Sequence, residues 1–127
     1  MIDKETEIFE AVSKELRKKF SGIYVIGAEL SSSPPKFPAV SLVQTNNTTR
    51  TEFSTFNSLE NVVREDYKAE VCSNLSKGKE AETKEIISSI SDAMSGFGYE
   101  RIFCEIVPNT DSAICRRMAR FQKNNVI

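Results

Sequence analysis

The sequence predicts a single α+β domain in which two helices pack on one face of a mostly antiparallel sheet, in the order α-β-β-β-α-β-β. Two segments repeat apolar residues with the period of a helix. The segments around them alternate, or run apolar over short lengths, as strands do. The 127 residues are enough for one domain with a core of its own. We therefore treat residues 1–127 as one unit.

The two helices are predicted from apolar stripes. The first spans Asp3 to Phe20, and places Phe9, Val12, Leu16 and Phe20 on one face. Asp3 has a side chain that can cap the helix start. The stripe of the second helix consists of Ile86, Ile87, Ile90, Met94 and Phe97, and a Gly-Phe-Gly sequence ends it. Both helices therefore need an apolar surface to cover.

The strands are predicted over residues 23–30, 39–45, 63–72, 101–107 and 113–121. Three prolines within residues 31–38 predict a loop between the first two strands, because proline has no N–H to donate to a sheet. Residues 108–112 predict a turn between the last two. Residues 46–61 are polar and lack periodicity, and a loop of that length is typically functional or disordered.

The central strand alternates, which predicts one face against the helices and one face in water. Its apolar side chains are Val63, Tyr67, Ala69 and Val71. Its water-facing side chains are Arg64, Asp66, Lys68 and Glu70. Ile86, Ile90 and Met94 are predicted to pack against the apolar set. The acidic pairs Glu65–Asp66 and Glu80–Glu82 are predicted to be solvated.

The composition disfavours catalysis, metal binding and membrane insertion. The chain has no histidine, which removes the commonest general base and the commonest zinc ligand. Its net charge of -1 gives no overall attraction for nucleic acid or an anionic membrane. No apolar run approaches the ~20 residues of a membrane-spanning helix, and the amino terminus lacks a signal-peptide pattern. We expect no enzyme activity, cofactor, metal or membrane partner.

The three cysteines are predicted to be reduced core residues. Cys72, Cys104 and Cys115 are widely spaced and lie in predicted strands among apolar neighbours. They lack the paired spacing of a cysteine metal site, and free cysteine is commonly buried.

The last strand carries an arginine cluster. Arg116 and Arg120 are predicted to share one face, with Arg117 on the other. The simplest interpretation is an exposed surface near the terminus. The alternative is a surface that pairs with carboxylates of a neighbouring subunit or faces DNA.

The long polar loop carries the other candidate contact residues, Arg50, Phe53, Phe56 and Leu59. Aromatic side chains in such a loop either anchor it to the domain or act as interface hot spots. The sequence leaves both possibilities open.

Several linked motifs resemble a known family. They are "FPAVSLVQ", "SLENVVREDYKAEVCSNLSKGKEAETKEI" and "GFGYERIFCEIVPNTDSAICRRMARF". In this order they are similar to small tail-completion proteins from the morphogenesis modules of long-tailed phages and prophages of Gram-positive bacteria. The order of elements also resembles the tail terminator fold of lambda-like phages. The resemblance covers nearly the whole chain, and none of its motifs is catalytic.

The resemblance implies a non-enzymatic virion protein made in the bacterial cytoplasm and located at the neck of the virion. It would form a six-fold homo-oligomeric ring that ends the tail tube and docks the head connector, or stopper, protein. DNA would pass through the lumen without specific binding. The family has no short signature for contact residues.

Two alternatives remain at this stage. One is a head-side stopper or connector protein of the same neck, which composition does not separate from a terminator. The other is a small cytosolic module that binds a ligand or a peptide. A ring former would give six-fold particles, whereas a binding module would be a monomer or a dimer.

Overall fold

Two helices and five strands make up the computed structural model, which describes residues 5–49 and 62–126. Helix α1 spans Glu5–Lys19 and helix α2 spans Lys79–Gly96. The strands are β1 Tyr24–Ile26, β2 Ala39–Thr49, β3 Val62–Ser73, β4 Glu100–Val107 and β5 Cys115–Val126. This content confirms the α+β class.

The strands form one mixed sheet in the order β1-β2-β3-β5-β4. β2 pairs with β3, β3 with β5 and β5 with β4, all antiparallel. β1 instead runs parallel to β2, because residues 27–38 carry the chain back to the starting end of the sheet. β1 and β4 are therefore the two edge strands.

The strand bounds differ from the sequence prediction, most of all in β1, β2 and β5, and β5 ends at Val126 instead of residue 121. Residues 46–49, predicted to begin a loop, continue β2 and pair with residues 63–66 of β3. Polar side chains give no burial pattern, but the hydrogen bonds between strands come from the backbone and do not need one. The remaining residues of the predicted loop, 50–61, lie outside the described chain. The first strand, predicted over residues 23–30, is only Tyr24–Ile26.

The main core lies between the helices and one face of the sheet, called here the helix face. From α1, Ile8, Val12 and Leu16 are buried, each 1% exposed. Phe9 and Phe20, predicted for this stripe, are only partly buried at its margin. The buried set follows an i, i+4, i+8 spacing, which keeps it on one side of the helix.

Helix α2 buries four of the five residues of the predicted stripe, and the fifth, Phe97, follows the helix and is only partly buried. Ile86, Ile87, Ile90 and Met94 are all at most 2% exposed. They belong to the same buried cluster as Tyr67, Ala69 and Val71 of β3, which confirms the predicted packing for these residues. The side chain of Val63 lies outside the described ones.

The opposite face of the sheet, called here the back face, has no helix over it in the described chain. Ala39 and Cys72 are register partners on this face, and with Ile114 they form a second, small buried cluster. The half-buried residues that pack against it are Tyr24, Leu30 and Phe37. Residues 27–38, called the flap, therefore cover one end of the back face.

Candidate assembly surface

Of the predicted contact residues, the structure describes Arg116 and Arg120, both in β5. Four others, Arg50, Phe53, Phe56 and Leu59, lie outside the described residues. Arg116 and Arg120 occupy the back face, and Arg117 lies on the helix face, as predicted. Nε of Arg117 donates a hydrogen bond to Oγ1 of Thr83 in α2, at 3.3 Å.

Arg116 is not part of a free surface. It is 7% exposed, and its Nη1 donates to Oε2 of Glu70 on β3. Its Nε donates to Oδ1 of Asn109 at 3.1 Å, and its Nη2 donates to the carbonyl oxygen of Ser31 in the flap. The prediction of an exposed Arg116 is wrong, because β3, the flap and the β4–β5 turn all supply partners to it. Arg116 thus joins three parts of one chain.

Lys68 extends this buried network to the outside of the flap. Its Nζ lies 3.2 Å from Oε1 of Glu70, and it also donates to Oε1 of the exposed Glu29. Burial lowers the pKa of Lys68, but its hydrogen bonds to Glu29 and Glu70 outweigh that effect and leave the pKa raised. The network therefore alternates in charge from Glu29 to Arg116.

The part of the back face beyond the flap is partly open. The guanidinium carbon of Arg120 lies 5.9 Å from the centre of the Phe103 ring, within range of a cation–π contact. Val43 and Met118 are half-buried on the same face. Arg120 therefore combines a cationic group with an apolar surround, and its role as a contact residue stays a prediction.

Strand β4 has a neighbour on only one side within the described chain. Two of its large apolar side chains are mostly exposed: Ile102 at 53% and Ile106 at 51%. The pairing with β5 is irregular between Arg101 and Phe103, so that Ile102 is an extra residue on the outer strand. An open strand edge with large apolar side chains is a typical place for another chain to bind.

At the other edge of the sheet, a hollow of about 210 Å³ lies between α1 and the end of β1. It is lined by Glu5, Thr6, Phe9, Glu10, Gly27 and Leu42. Phe9 and Leu42 are its apolar side chains, whereas Glu5 and Glu10 are exposed carboxylates. The two edges of the sheet therefore present different surfaces.

A buried polar pair was missed by the sequence prediction. Glu65, predicted to be solvated, is 0% exposed on the helix face, and Oη of Tyr99 donates to its Oε2 at 2.6 Å. The Tyr99 ring meets the Tyr67 ring edge to face, with centres 5.2 Å apart. Burial, together with the neighbouring Tyr99 and Glu65, raises the pKa of Tyr67. The sequence did contain evidence for this burial, because the alternation along the strand places Glu65 on the same face as Tyr67, Ala69 and Val71.

The cysteine prediction is confirmed for two of the three residues. Cys72 and Cys115 are buried, and Cys104 is half-buried on β4. Burial raises the pKa of the Cys72 thiol to about 11. Within the described residues, no three Cys, Asp or Glu side chains are grouped so that they could hold a metal ion. Neither described helix is long and apolar enough to cross a membrane.

Comparison with known proteins gives no family for this chain: it matches no family model, and no curated protein matches it significantly.

Proposed function

We propose that this protein is a phage tail terminator, a structural virion component that forms a hexameric ring. The ring caps the tail tube and joins it to the head connector, and DNA passes through its lumen without specific binding. The identity comes from the order of motifs that resembles tail-completion proteins. The order α-β-β-β-α-β-β and the placement of both helices on one sheet face agree with that resemblance.

The observation that supports a ring most directly is the difference between the two sheet edges. A ring of identical subunits is held by head-to-tail contacts, in which one surface binds a different surface of the next copy. β4 offers an open edge with Ile102 and Ile106 exposed, and the β1 edge offers the hollow beside α1. A two-fold dimer would need one self-complementary surface instead.

The first test is the mass of the purified protein, by light scattering and native mass spectrometry, with electron microscopy of the particles. We expect closed six-membered rings. A protein that stays a monomer or dimer at all concentrations would favour the alternative of a small cytosolic binding module, in which the hollow beside α1 would accept a ligand.

Deletion of the gene from its phage or prophage separates the two neck functions. Loss of a terminator should yield filled heads and unjoined tails of uncontrolled length. Loss of a head-side stopper should leave tail length normal, because that protein acts on the head. Joined particles with normal tails in the deletion would contradict both.

A further inference from the structure

We infer that each ring contact forms between the outer edge of β4 in one subunit and the hollow beside α1 in the next. This inference rests on the proposed ring, and the partner is a second copy of this chain. β1 and β4 are opposite edges of the sheet, so the two surfaces lie on opposite sides of the subunit. In such an arrangement each subunit uses one surface to contact the preceding copy and the other surface to contact the following copy.

The apolar parts of the two surfaces match. Ile102 projects from the irregular part of β4 and is 53% exposed. The hollow exposes the ring of Phe9 and reaches down to Leu42, which is itself 3% exposed. Transfer of the Ile102 side chain from water into this hollow is favourable, because it removes apolar surface from water on both subunits.

Arg101 supplies a charge that matches the border of the hollow. Arg101, next to Ile102, is exposed, and the hollow is bordered by the exposed carboxylates Glu5 and Glu10. Opposite charges at the border of an apolar contact select the register of binding. The exposed carboxylates Glu100 and Glu105 lie on either side of Arg101 along β4, and would face the carboxylates of the hollow unfavourably if the strand were shifted in either direction.

Gly27 makes the contact testable without disturbing the core. The three atoms nearest to a Cβ at this position all belong to the Phe9 ring, at 3.6 to 3.8 Å, which are ordinary packing distances. Ile102 is largely exposed, so its replacement also leaves the core intact. Two chains are prepared in a Cys104→Ser background, one with Gly27→Cys and the other with Ile102→Cys. The native Cys72 and Cys115 are buried and remain.

The experiment measures disulfide-linked dimers after mild oxidation of the two chains, separately and mixed. The mixture should give at least about tenfold more dimer than either chain alone, the factor expected for a contact worth one decade in affinity. Equal yields from the mixture and from the separate chains would overturn the inference, because they would indicate random collision or a two-fold contact.

Charge reversal provides the matched control. Arg101→Glu in the Ile102→Cys chain should lower the dimer yield about tenfold, and Glu10→Arg in the Gly27→Cys chain should restore it. A loss that Glu10→Arg does not restore, or no loss at all, would contradict the assigned contact.

A chain with both Gly27→Cys and Ile102→Cys separates this inference from the proposed function. After oxidation, a series of disulfide-linked oligomers that ends at six subunits supports both the contact and the six-membered ring. A series that continues past six supports the contact and contradicts the ring. Six-membered rings that remain intact without cross-links would leave the proposed function standing and overturn the contact.

Discussion

The two faces of the sheet are held together by different forces. On the helix face, Ile86, Ile90 and Met94 pack on Tyr67 and its neighbours in a continuous apolar core. On the back face, Arg116, Glu70 and Lys68 form a buried ionic network that fastens the flap. Apolar packing tolerates small shifts, whereas buried ion pairs are stable only with their partners in place. The helix face therefore supplies most of the stability, and the back face fixes the position of one loop.

Each face also contains a minority of the other kind of interaction. Glu65 and Tyr99 form a hydrogen bond within the helix-face core. Ala39, Cys72 and Ile114 form a small apolar cluster beneath the flap. The comparison can therefore be tested on each face by removing first the dominant kind of interaction and then the less common kind. The dominant kind is apolar packing on the helix face and ion pairing on the back face.

The largest effect is expected from the helix face. Ile90→Ala should lower the free energy of unfolding by ~2–5 kcal/mol, because Ile90 is 0% exposed and its loss leaves a cavity. Leu75→Ala removes the same number of atoms from an exposed site outside the proposed contact, at 44% exposure, and should change stability by less than about 1 kcal/mol. Urea unfolding of both variants measures this. A loss below about half a kilocalorie for Ile90→Ala would contradict the assignment of this core.

The next effect tests the back-face network. Arg116→Ala should destabilise the fold by about 2–3 kcal/mol, less than the usual range for a broken buried pair, because Lys68 still faces Glu70. Replacing both partners, by Arg116→Met and Glu70→Leu, should be less harmful than the single change, because the buried Glu70 carboxylate is removed along with its partner and Lys68 keeps its ion pair with Glu29. Proteolysis of the flap, followed by mass spectrometry, should accelerate in the single variant. An unchanged cleavage rate would show that Arg116 does not fasten the flap.

The polar pair in the helix face should have a smaller effect. Tyr99→Phe keeps the edge-to-face ring contact with Tyr67 but deprives the buried Glu65 of one hydrogen bond. The expected loss is about 1–3 kcal/mol in unfolding free energy. Phe97→Leu, at the half-buried margin of the same core, is a control for a small change in apolar volume. A neutral Tyr99→Phe would mean that the hydrogen bond to Glu65 adds nothing to the stability of this face.

The sequence predicted the helix face better than the back face for a physical reason. Apolar periodicity reports burial directly, so the stripe of α2 and its partners on β3 were predictable. The burial of Arg116 depends on Glu70, 46 residues away in sequence, and on a flap carbonyl. No local pattern contains that information. The parallel pairing of β1 and the polar extension of β2 depend likewise on backbone partners elsewhere in the chain.

Glu65 is a different kind of miss. Strict alternation along β3 already placed it among Tyr67, Ala69 and Val71, but its charge suggested water. Its partner Tyr99 follows α2, 34 residues later, so the compensation for its burial was not visible nearby. For the assembly surface, the alternation of Arg116, Arg117 and Arg120 was predictable. The exposure of Ile102 was not, because it depends on β4 being an edge strand.

The smallest effect is expected from the small apolar cluster of the back face, and it can be measured as a dependence of stability on pH. Burial raises the pKa of Cys72 from an ordinary 9.0 to about 11. Between these values the unfolded chain loses the thiol proton before the folded one, so the folded state binds more protons and the free energy of unfolding falls as pH rises. The contribution is fully present below pH 9 and lost through pH 11. At pH 10 the free energy of unfolding has lost roughly 1 kcal/mol of this contribution.

Comparison with Cys72→Ala isolates this contribution. Other groups with raised pKa values, such as Tyr67 and Lys68, titrate in both proteins and cancel in the difference. Urea unfolding under reducing conditions at pH 7 and pH 10 should show a larger alkaline loss in the wild type than in the variant. Equal losses would mean that water reaches the thiol beneath Leu30 and Phe37. The flap would then be held by its ion pairs alone, without an apolar seal on the back face.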